Sequence, residues 1–214
     1  MDSASFDPRR TASSGTLTSV KIVIAGGFGA GKTTFVGSVS EIAPLTTEAV
    51  MTSAAEKVDD LAFLPQKTTT TVAMDFGRVS LEKDLILYLF GTPGQHRFWF
   101  MWDDLVKGAI GAVVLVDTRR LADCFPAVDY FEQWELPYVV GLNCFDGVQP
   151  FTVEEVREAL QIGPTVPIAP CDARERASTK ATLITLVEHA MERAYATNAT
   201  NATDSAGQNS SRVW

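Results

Sequence analysis

The stretch VKIVIAGGFGAGKTTF, residues 20–35, decides the fold of this chain. It begins with an apolar run rich in β-branched residues, which is typical of a buried strand. Residues 26–33, GGFGAGKT, then match the pattern G-x-x-x-x-G-K-[ST] directly after the strand and at the start of a predicted helix. A strand, a glycine-rich loop of this pattern and a helix together predict a phosphate-binding loop, or P-loop.

Each residue type in this loop has a chemical reason. Glycines let the backbone curl so that successive N–H groups point at phosphate oxygens, and the N-terminus of the next helix adds its dipole. Lys32, also a candidate catalytic residue, is predicted to reach the β- and γ-phosphates, and Thr33 to give its hydroxyl to Mg²⁺. The candidate phosphate-binding residues of the loop are Gly27, Phe28, Gly29, Ala30, Gly31, Lys32, Thr33 and Thr34.

Apolar runs and helical patterns alternate along the chain, which predicts an α/β fold with a six-stranded, mostly parallel sheet and helices on both faces. The predicted strands are 20–26, 71–81, 84–90, 109–117, 136–143 and 165–171, and the predicted helices are 31–41, 96–108, 120–133, 153–160 and 178–195. Only Glu82 and Lys83 separate the second strand from the third, so these two are predicted to form an antiparallel hairpin with 71–81 at the sheet edge. Residues 42–70 show no evident element, and a connection of that length is usually functional.

Composition predicts one domain, 19–195, between disordered tails at 1–18 and 196–214, because both ends are polar and lack an apolar period. The formal net charge of −8 and the lack of a basic cluster argue against binding to nucleic acid. No run of apolar residues is long enough to span a membrane, and no lipidation pattern is present. We therefore expect a cytoplasmic protein without a direct membrane anchor.

Further motifs follow the P-loop in a fixed order. They are a threonine-rich segment before a strand (67–77), Pro-Gly-Gln (93–95), an N-x-x-D pattern (143–146) and a late Asp-Ala-Arg (172–174). In this order the set resembles the five motifs of Ras-like small GTPases, over residues 20–195. The resemblance implies a Ras-like P-loop domain that binds GTP and GDP with Mg²⁺ and acts as a molecular switch.

The base-binding residues are expected where predicted strand 136–143 ends. An aspartate there, Asp146, can accept hydrogen bonds from N1–H and N2–H of guanine, whereas adenine presents the wrong pattern. The resemblance adds Asn143 and the backbone N–H of Ala173 as guanine-binding groups. Cys144 stands where the family has a lysine along the base. A P-loop ATPase or kinase that binds adenine remains the alternative from a different class.

The resemblance also assigns the two switch segments. Thr71 is predicted to be the second protein ligand to Mg²⁺ and to sense the γ-phosphate, so residues 42–71 would be ordered by the triphosphate. Gly94 would contact the γ-phosphate. Gln95 would orient the attacking water and is a candidate catalytic residue.

One family carboxylate is missing from the sequence. Where relatives have D-x-x-G, whose aspartate supports the Mg²⁺ site, this chain has Gly91-Thr92-Pro93-Gly94. We therefore expect that support to be absent, and Mg²⁺ affinity to suffer. No arginine lies in 42–71 to assist hydrolysis in cis, so we predict slow intrinsic GTP hydrolysis that depends on a partner. The alternative is a scaffold that holds nucleotide with little or no turnover.

The aromatic run after the Pro-Gly-Gln turn predicts a surface for a partner. In a helix over 96–108, Phe98, Trp102 and Leu105 share the stripe that faces the sheet. Trp99 and Phe100 cannot join that stripe and are predicted to form a partner surface beside the switch. The alternative is a deeply covered helix in which all of these side chains are buried.

Four extended segments, 47–54, 67–77, 87–106 and 113–132, resemble the small GTP-binding proteins of actinobacterial conservons, which are related to the bacterial polarity GTPases. This resemblance implies a bacterial signalling role. The implied partners are a Roadblock/LC7-domain protein and a membrane sensor kinase-like protein. The chain would then be recruited by these partners to the inner face of the cell membrane.

Overall fold

The computed structural model describes residues 18–43, 45–51, 70–82, 84–94, 96–144, 147 and 150–209. They form a seven-stranded sheet with helices on both faces. The strands are β1 (Thr18–Gly26), β2 (Leu45–Met51), β3 (Thr70–Glu82), β4 (Leu85–Gly91), β5 (Ala109–Val116), β6 (Tyr138–Asn143) and β7 (Ile168–Cys171). Their order across the sheet is β2-β3-β4-β1-β5-β6-β7.

Strand directions follow the prediction. β1 pairs in parallel with β4 and β5, and β6 pairs in parallel with β5 and β7. β3 and β4 form the predicted antiparallel hairpin. The predicted α/β fold, with its mostly parallel sheet, is confirmed over the six strands that the sequence indicated.

The edge of the sheet differs from the prediction. Residues 45–51 form strand β2, antiparallel to β3, in a segment where no element was predicted. β2 therefore occupies the edge position that 71–81 was expected to have. Apolar and polar residues alternate only weakly in its sequence, LTTEAVM, which contains a single charge, so periodicity alone does not identify a strand there. The strand becomes evident only from its pairing along β3.

The helices alternate with the strands. They are α1 (Lys32–Val39), α2 (Trp102–Val106), α3 (Phe125–Gln133), α4 (Val153–Leu160) and α5 (Arg176–Asn209). α2 and α3 follow 3₁₀ turns at His96–Met101 and Thr118–Cys124. Thr152 caps α4 in a capping box with Glu155.

Alternation along β1 divides the core into two layers. Ile22 and Ile24 belong to the layer covered by α1 and α5, and Val23 and Ala25 to the layer covered by α2, α3 and α4. All four side chains are fully buried. Because the P-loop begins where β1 ends, a strand anchored on both faces holds it in place.

The chain ends differ from the prediction of disordered tails. Thr18 already belongs to β1, and α5 continues to Asn209, so residues 196–209 are helical. Alanine recurs through this segment, and alanine has the highest helix propensity, so it can extend a helix that the domain has already nucleated. The predictions for 1–17 and 210–214 lie outside the described residues. Within the described part of the chain, no helix combines the length and apolarity needed to cross a bilayer.

His189 on α5 is buried, at 7% exposure, and its Nε2 atom has no hydrogen-bond partner. Burial lowers the pKa of His189 below its ordinary value of 6.5, the charge of Arg193 lowers it further, and Glu192 raises it. The unfolded chain therefore takes up a proton near pH 6.5 while the folded chain does not, so stability falls as pH drops through 6.5.

We expect His189→Leu to flatten this decline, by at most about 1.4 kcal/mol at pH 5.5, one unit below the unfolded pKa. Urea unfolding at several pH values between 5.5 and 7.5 measures the slope. Glu188→Gln is the control, because Glu188 is the exposed neighbour. An unchanged slope in His189→Leu would show that another group causes the decline.

Candidate functional site

The P-loop lies at the carboxyl end of β1 and opens α1, as predicted. Gly31, the residue before the helix, has φ 101°, a conformation that side chains with a Cβ rarely adopt. A Cβ at Gly31 would also lie 2.7 Å from the Asn143 amide nitrogen. Glycine is therefore required at position 31 for a steric reason as well as for the chemical one.

Lys32 is buried and points back into the loop. Its Nζ atom donates hydrogen bonds to the carbonyl oxygens of Gly26 at 2.9 Å and Gly27 at 2.7 Å. Burial lowers the pKa of Lys32 to about 8, against the opposing charge of Asp75. A phosphate group beside Nζ would favour the charged form again, so the site is suited to an anion.

A carboxylate lies beside the other key P-loop residue. The Thr33 hydroxyl donates a hydrogen bond of 2.7 Å to Oδ2 of Asp75 on β3. Phe76 pairs with Phe90 across the β3–β4 hairpin, which brings the preceding residue, Asp75, beside Gly91. A Cβ at Gly91 would come within 3.0 Å of Asp75 Cβ and 3.1 Å of Oδ2.

The expectation that no carboxylate supports Thr33 is therefore wrong. Asp75, on the neighbouring strand, fills the space that a side chain at position 91 would need. Glycine at position 91 therefore leaves room for the aspartate at position 75. Sequence reasoning missed Asp75 as a site residue. The available signal was the hairpin itself, because its register places residue 75 opposite position 91.

The Pro-Gly-Gln turn closes over the P-loop. A Cβ built on Gly94 would lie 2.9 Å from Lys32 Nζ and 3.1 Å from Phe28 Cα. The turn therefore occupies the space in front of Lys32 where a γ-phosphate is expected.

Asn143 connects three parts of the site. Its side chain is buried, donates to the carbonyl oxygen of Ala30 at 2.9 Å and accepts from the N–H of Ala173 at 3.2 Å. Asn143 thus ties the P-loop to the loops after β6 and β7. In this structure the Ala173 N–H, predicted to bind guanine, is directed to Asn143.

Several predicted site residues cannot be placed from side-chain contacts. Gln95 and Asp146 lie outside the described residues. The backbone of Thr71 lies in β3 opposite Val50, at the end of the strand rather than in a loop, and its side chain is outside the described part. Their predicted roles stay predictions. Thr34 is exposed in the first turn of α1.

The aromatic residues divide much as predicted. Phe98, Trp102 and Leu105 are buried, and Trp102 stacks on Phe131 of α3 at 5.9 Å between ring centroids. Trp99 is half-buried against the same layer of the core, whereas Phe100 is 56% exposed. All three residues of the predicted stripe are therefore buried, although residues 96–101 form a 3₁₀ turn where the first part of an α-helix was predicted. The run is not wholly buried, because Phe100 is exposed.

The P-loop also rests on the turn after β5. A Cβ at Gly27 would lie only 2.5 Å from Asp123 Cβ. We expect Gly27→Ala to shift the loop and to destabilise the fold by about 1–3 kcal/mol, with a parallel loss of nucleotide affinity. Urea unfolding and nucleotide titration measure the two effects. Gly163→Ala is the control, because the nearest atom to its Cβ would be 4.0 Å away, and equal behaviour of the two variants would contradict the steric argument.

A family model described as "conserved hypothetical ATP binding protein" matches residues 24–193. Among curated proteins, an uncharacterized protein of Methanocaldococcus jannaschii, MJ1339, is 29% identical over 129 residues, which is 59% of this chain and 71% of that protein.

Solved structures show the same fold. The cytosolic domain of the Thermotoga maritima FeoB iron transporter in its apo form superposes with a TM-score of 0.58 at 16% identity, over 81% of this chain and 64% of that one. The small GTPase Arl6 (BBS3) of Trypanosoma brucei, with bound GppNp, superposes with a TM-score of 0.58 at 16% identity, over 82% of this chain and 99% of that one. The FeoB G-domain of Methanococcus jannaschii superposes with a TM-score of 0.55 at 12% identity, over 81% of this chain and 99% of that one. At these identities the likeness establishes a P-loop G-domain fold. This chain spans 64% of the FeoB cytosolic domain, less than two thirds.

Proposed function

We propose that this chain, which belongs to the family of conserved hypothetical ATP binding proteins, is a guanine-nucleotide-dependent switch that hydrolyses GTP slowly. The observation that carries the proposal is the cluster of Lys32, Thr33 and Asp75. A buried lysine beside the loop amides suits a phosphate, and a threonine hydroxyl 2.7 Å from a carboxylate suits a hydrated divalent cation.

The residues present fit Mg²⁺. Thr33 would hold the cation through its hydroxyl, and Asp75 would hold the surrounding water and orient Thr33, all through hard oxygen atoms of the kind that Mg²⁺ prefers. Thr71 is proposed as a second ligand from the switch segment. When bound, the cation neutralises charge on the β- and γ-phosphate oxygens.

The chain's own residues would act on the nucleotide in three ways. Lys32 would leave the carbonyls of Gly26 and Gly27 for the phosphates, whose negative charge would raise its pKa again. Gly94 would withdraw from Lys32 as the γ-phosphate enters, and this displacement couples the Pro-Gly-Gln turn to the presence of a triphosphate. Gln95 is proposed to orient the attacking water.

Guanine is proposed as the base although the family description names ATP. Asn143 holds the loops after β6 and β7, here called the base-side loops, against the P-loop. Asp146 follows Asn143 at the spacing of the N-x-x-D pattern. The G-domain fold of the solved neighbours supports the same assignment. FeoB and Arl6 themselves are only distant relatives, so the base requires a direct test.

Membership of the conservon group of Ras-like GTPases, and a role in bacterial signalling, are proposed from the sequence resemblance. So are a Roadblock/LC7-domain protein and a membrane sensor kinase-like protein as partners, and recruitment by them to the inner face of the cell membrane. Phe100, exposed beside the switch, and Trp99 are the proposed partner contacts. Pull-down of purified candidate partners with the GDP- and GTP-loaded chain tests this proposal, and equal capture in both states would contradict a switch.

The test of the nucleotide is competition of GTP, GDP and ATP against a fluorescent guanine nucleotide, with and without Mg²⁺. We expect GTP and GDP to compete strongly and ATP weakly. Lys32→Ala should bind no nucleotide, and Lys107→Ala, at an exposed lysine paired with Asp104, should bind as the wild type does. Equal competition by ATP would overturn the assignment of guanine, with Cys144 as the evident cause.

Turnover separates the switch from a nucleotide-holding scaffold. Single-turnover hydrolysis of GTP by the wild-type chain should be slow but measurable above a Lys32→Ala blank. Tight binding without any release of phosphate would favour the scaffold.

A further inference from the structure

The turn that follows β5 carries two arginines and lies against the P-loop, outside the switch segments. Residues Thr118–Cys124 form a 3₁₀ turn after β5, and its helical geometry breaks at Arg120, where φ is −140° and ψ is 50°. The break separates Arg120 from Arg119, which binds the buried carboxylate of Asp117 through two side-chain nitrogens at 2.9 and 2.8 Å. The two neighbouring arginines therefore point to different partners.

Arg120 reaches the P-loop. Its Nη1 atom lies 3.4 Å from the carbonyl oxygen of Phe28, and its Nη2 atom lies 2.5 Å from Oδ2 of Asp123. The Arg120 side chain is 54% exposed, so the guanidinium is held by one ion pair and one long hydrogen bond rather than packed in place. Exposed ion pairs of this kind are weak, and the side chain can exchange partners at low cost.

Phe28 borders the position of the γ-phosphate. Its backbone nitrogen and Cα lie 3.2 and 3.1 Å from the point where a Cβ of Gly94 would be, and Lys32 Nζ lies 2.9 Å from the same point. Arg120 therefore contacts the carbonyl oxygen of Phe28, whose backbone nitrogen and Cα face Gly94 on the Lys32 side of the loop.

Space is available for the movement. A cavity of about 270 Å³ separates the P-loop from α3, and Phe28, Gly94, Trp99, Arg120 and Asp123 line part of its wall. Gly94, the residue of the turn that closely approaches Lys32, is part of this wall. A guanidinium that leaves Asp123 can therefore follow the γ-phosphate without passing through the core.

We propose that Arg120 is a catalytic residue for GTP hydrolysis, a cis-acting cation that leaves Asp123 to contact the γ-phosphate in the transition state. The inference rests on the proposed function. Water oxygen forms a bond to the γ-phosphorus, and the bond to the β–γ bridging oxygen breaks with its electron pair on GDP. One proton of the water leaves to solvent. Arg120 stays protonated throughout and neutralises the charge that spreads over the transferring group.

Asp123 then holds the hydrolytic rate down. In the described conformation its carboxylate competes with the phosphate for the guanidinium, and an exposed ion pair of this kind lowers the rate by about five-fold at most. Asp123→Asn keeps the Cβ that packs on Gly27 but removes the charge. This variant should release Arg120 and raise the rate of hydrolysis.

The experiment measures three quantities on each variant of the full chain: the GDP affinity, the single-turnover rate of GTP hydrolysis, and formation of the complex of GDP with aluminium fluoride, which mimics the transition state. Arg120→Ala should lower the rate by about 10³-fold, abolish the fluoride complex and keep the GDP affinity. Arg120→Lys should restore little of the hydrolysis rate, because lysine lacks the planar guanidinium with its paired N–H donors. Arg193→Ala, at an exposed arginine on α5, is the control and should match the wild type.

Wild-type turnover and a retained fluoride complex in Arg120→Ala would overturn this inference. So would a loss of GDP affinity equal to the loss of rate, since that indicates a structural role, and so would a wild-type chain that binds GDP but neither hydrolyses GTP nor forms the fluoride complex. A wild-type chain that binds no guanine nucleotide would instead overturn the proposed function itself.

Discussion

Replacing Asp75 with asparagine is expected to remove most of the benefit that Mg²⁺ gives to nucleotide binding. The carboxylate of Asp75 is the described acidic group in contact with Thr33, at 2.7 Å, and an amide cannot supply its charge. Loss of a group that orients a metal ligand commonly lowers metal affinity by about 10- to 100-fold. The measurement is the affinity for GDP and GTP across a Mg²⁺ titration, from which the apparent Mg²⁺ affinity follows.

Two comparisons make the result specific. Without Mg²⁺, Asp75→Asn should bind GDP as the wild type does, because the P-loop and Lys32 are unchanged. Asp84→Asn, at an exposed aspartate in the turn of the same hairpin, should keep the wild-type response to Mg²⁺. An unaltered Mg²⁺ response in Asp75→Asn would show that the carboxylate only positions Thr33 and does not support the cation.

Replacing Asn143 with alanine is expected to weaken both the fold and the site. The substitution leaves the carbonyl of Ala30 and the N–H of Ala173 buried without their partner. Each buried group left unsatisfied costs about 1–3 kcal/mol, so for the two groups we expect a loss of about 2–6 kcal/mol in the free energy of unfolding. Because the P-loop and the base-side loops are then no longer joined, nucleotide affinity should fall as well.

Urea unfolding with and without GDP measures both effects of Asn143→Ala. Stabilisation by GDP should be smaller than in the wild type, since ligand binding contributes in proportion to affinity. Asn198→Ala on the exposed part of α5 is the matched control and should change neither quantity. A destabilised variant with unchanged GDP affinity would show that the base-side loops are held in place by other contacts.

Much of the site was predictable because its parts are local in sequence. The P-loop pattern lies within eight consecutive residues, and the strand and helix around it follow from periodicity. Lys32 and Thr33 therefore lie at the start of α1, as predicted. The buried stripe of Phe98 and Trp102 followed from helical spacing in the same way.

The predictions that failed were those that depend on a neighbour distant in sequence. Strand β2 has a weak pattern of its own and exists by pairing with β3. The continuation of α5 past residue 195 depends on a helix already anchored on the sheet, since a small polar segment would not order alone.

By itself the sequence determined that this chain has a P-loop on an α/β sheet, because glycine, lysine and threonine at fixed spacing carry that information within a few residues. Only the tertiary structure decided which carboxylate contacts Thr33. Asp75 and Gly91 are sixteen positions apart, and the register of an antiparallel hairpin places them side by side. The contact of Arg120 with Phe28 arises similarly, because parallel strands β1 and β5 end at the same edge of the sheet and bring their following loops together.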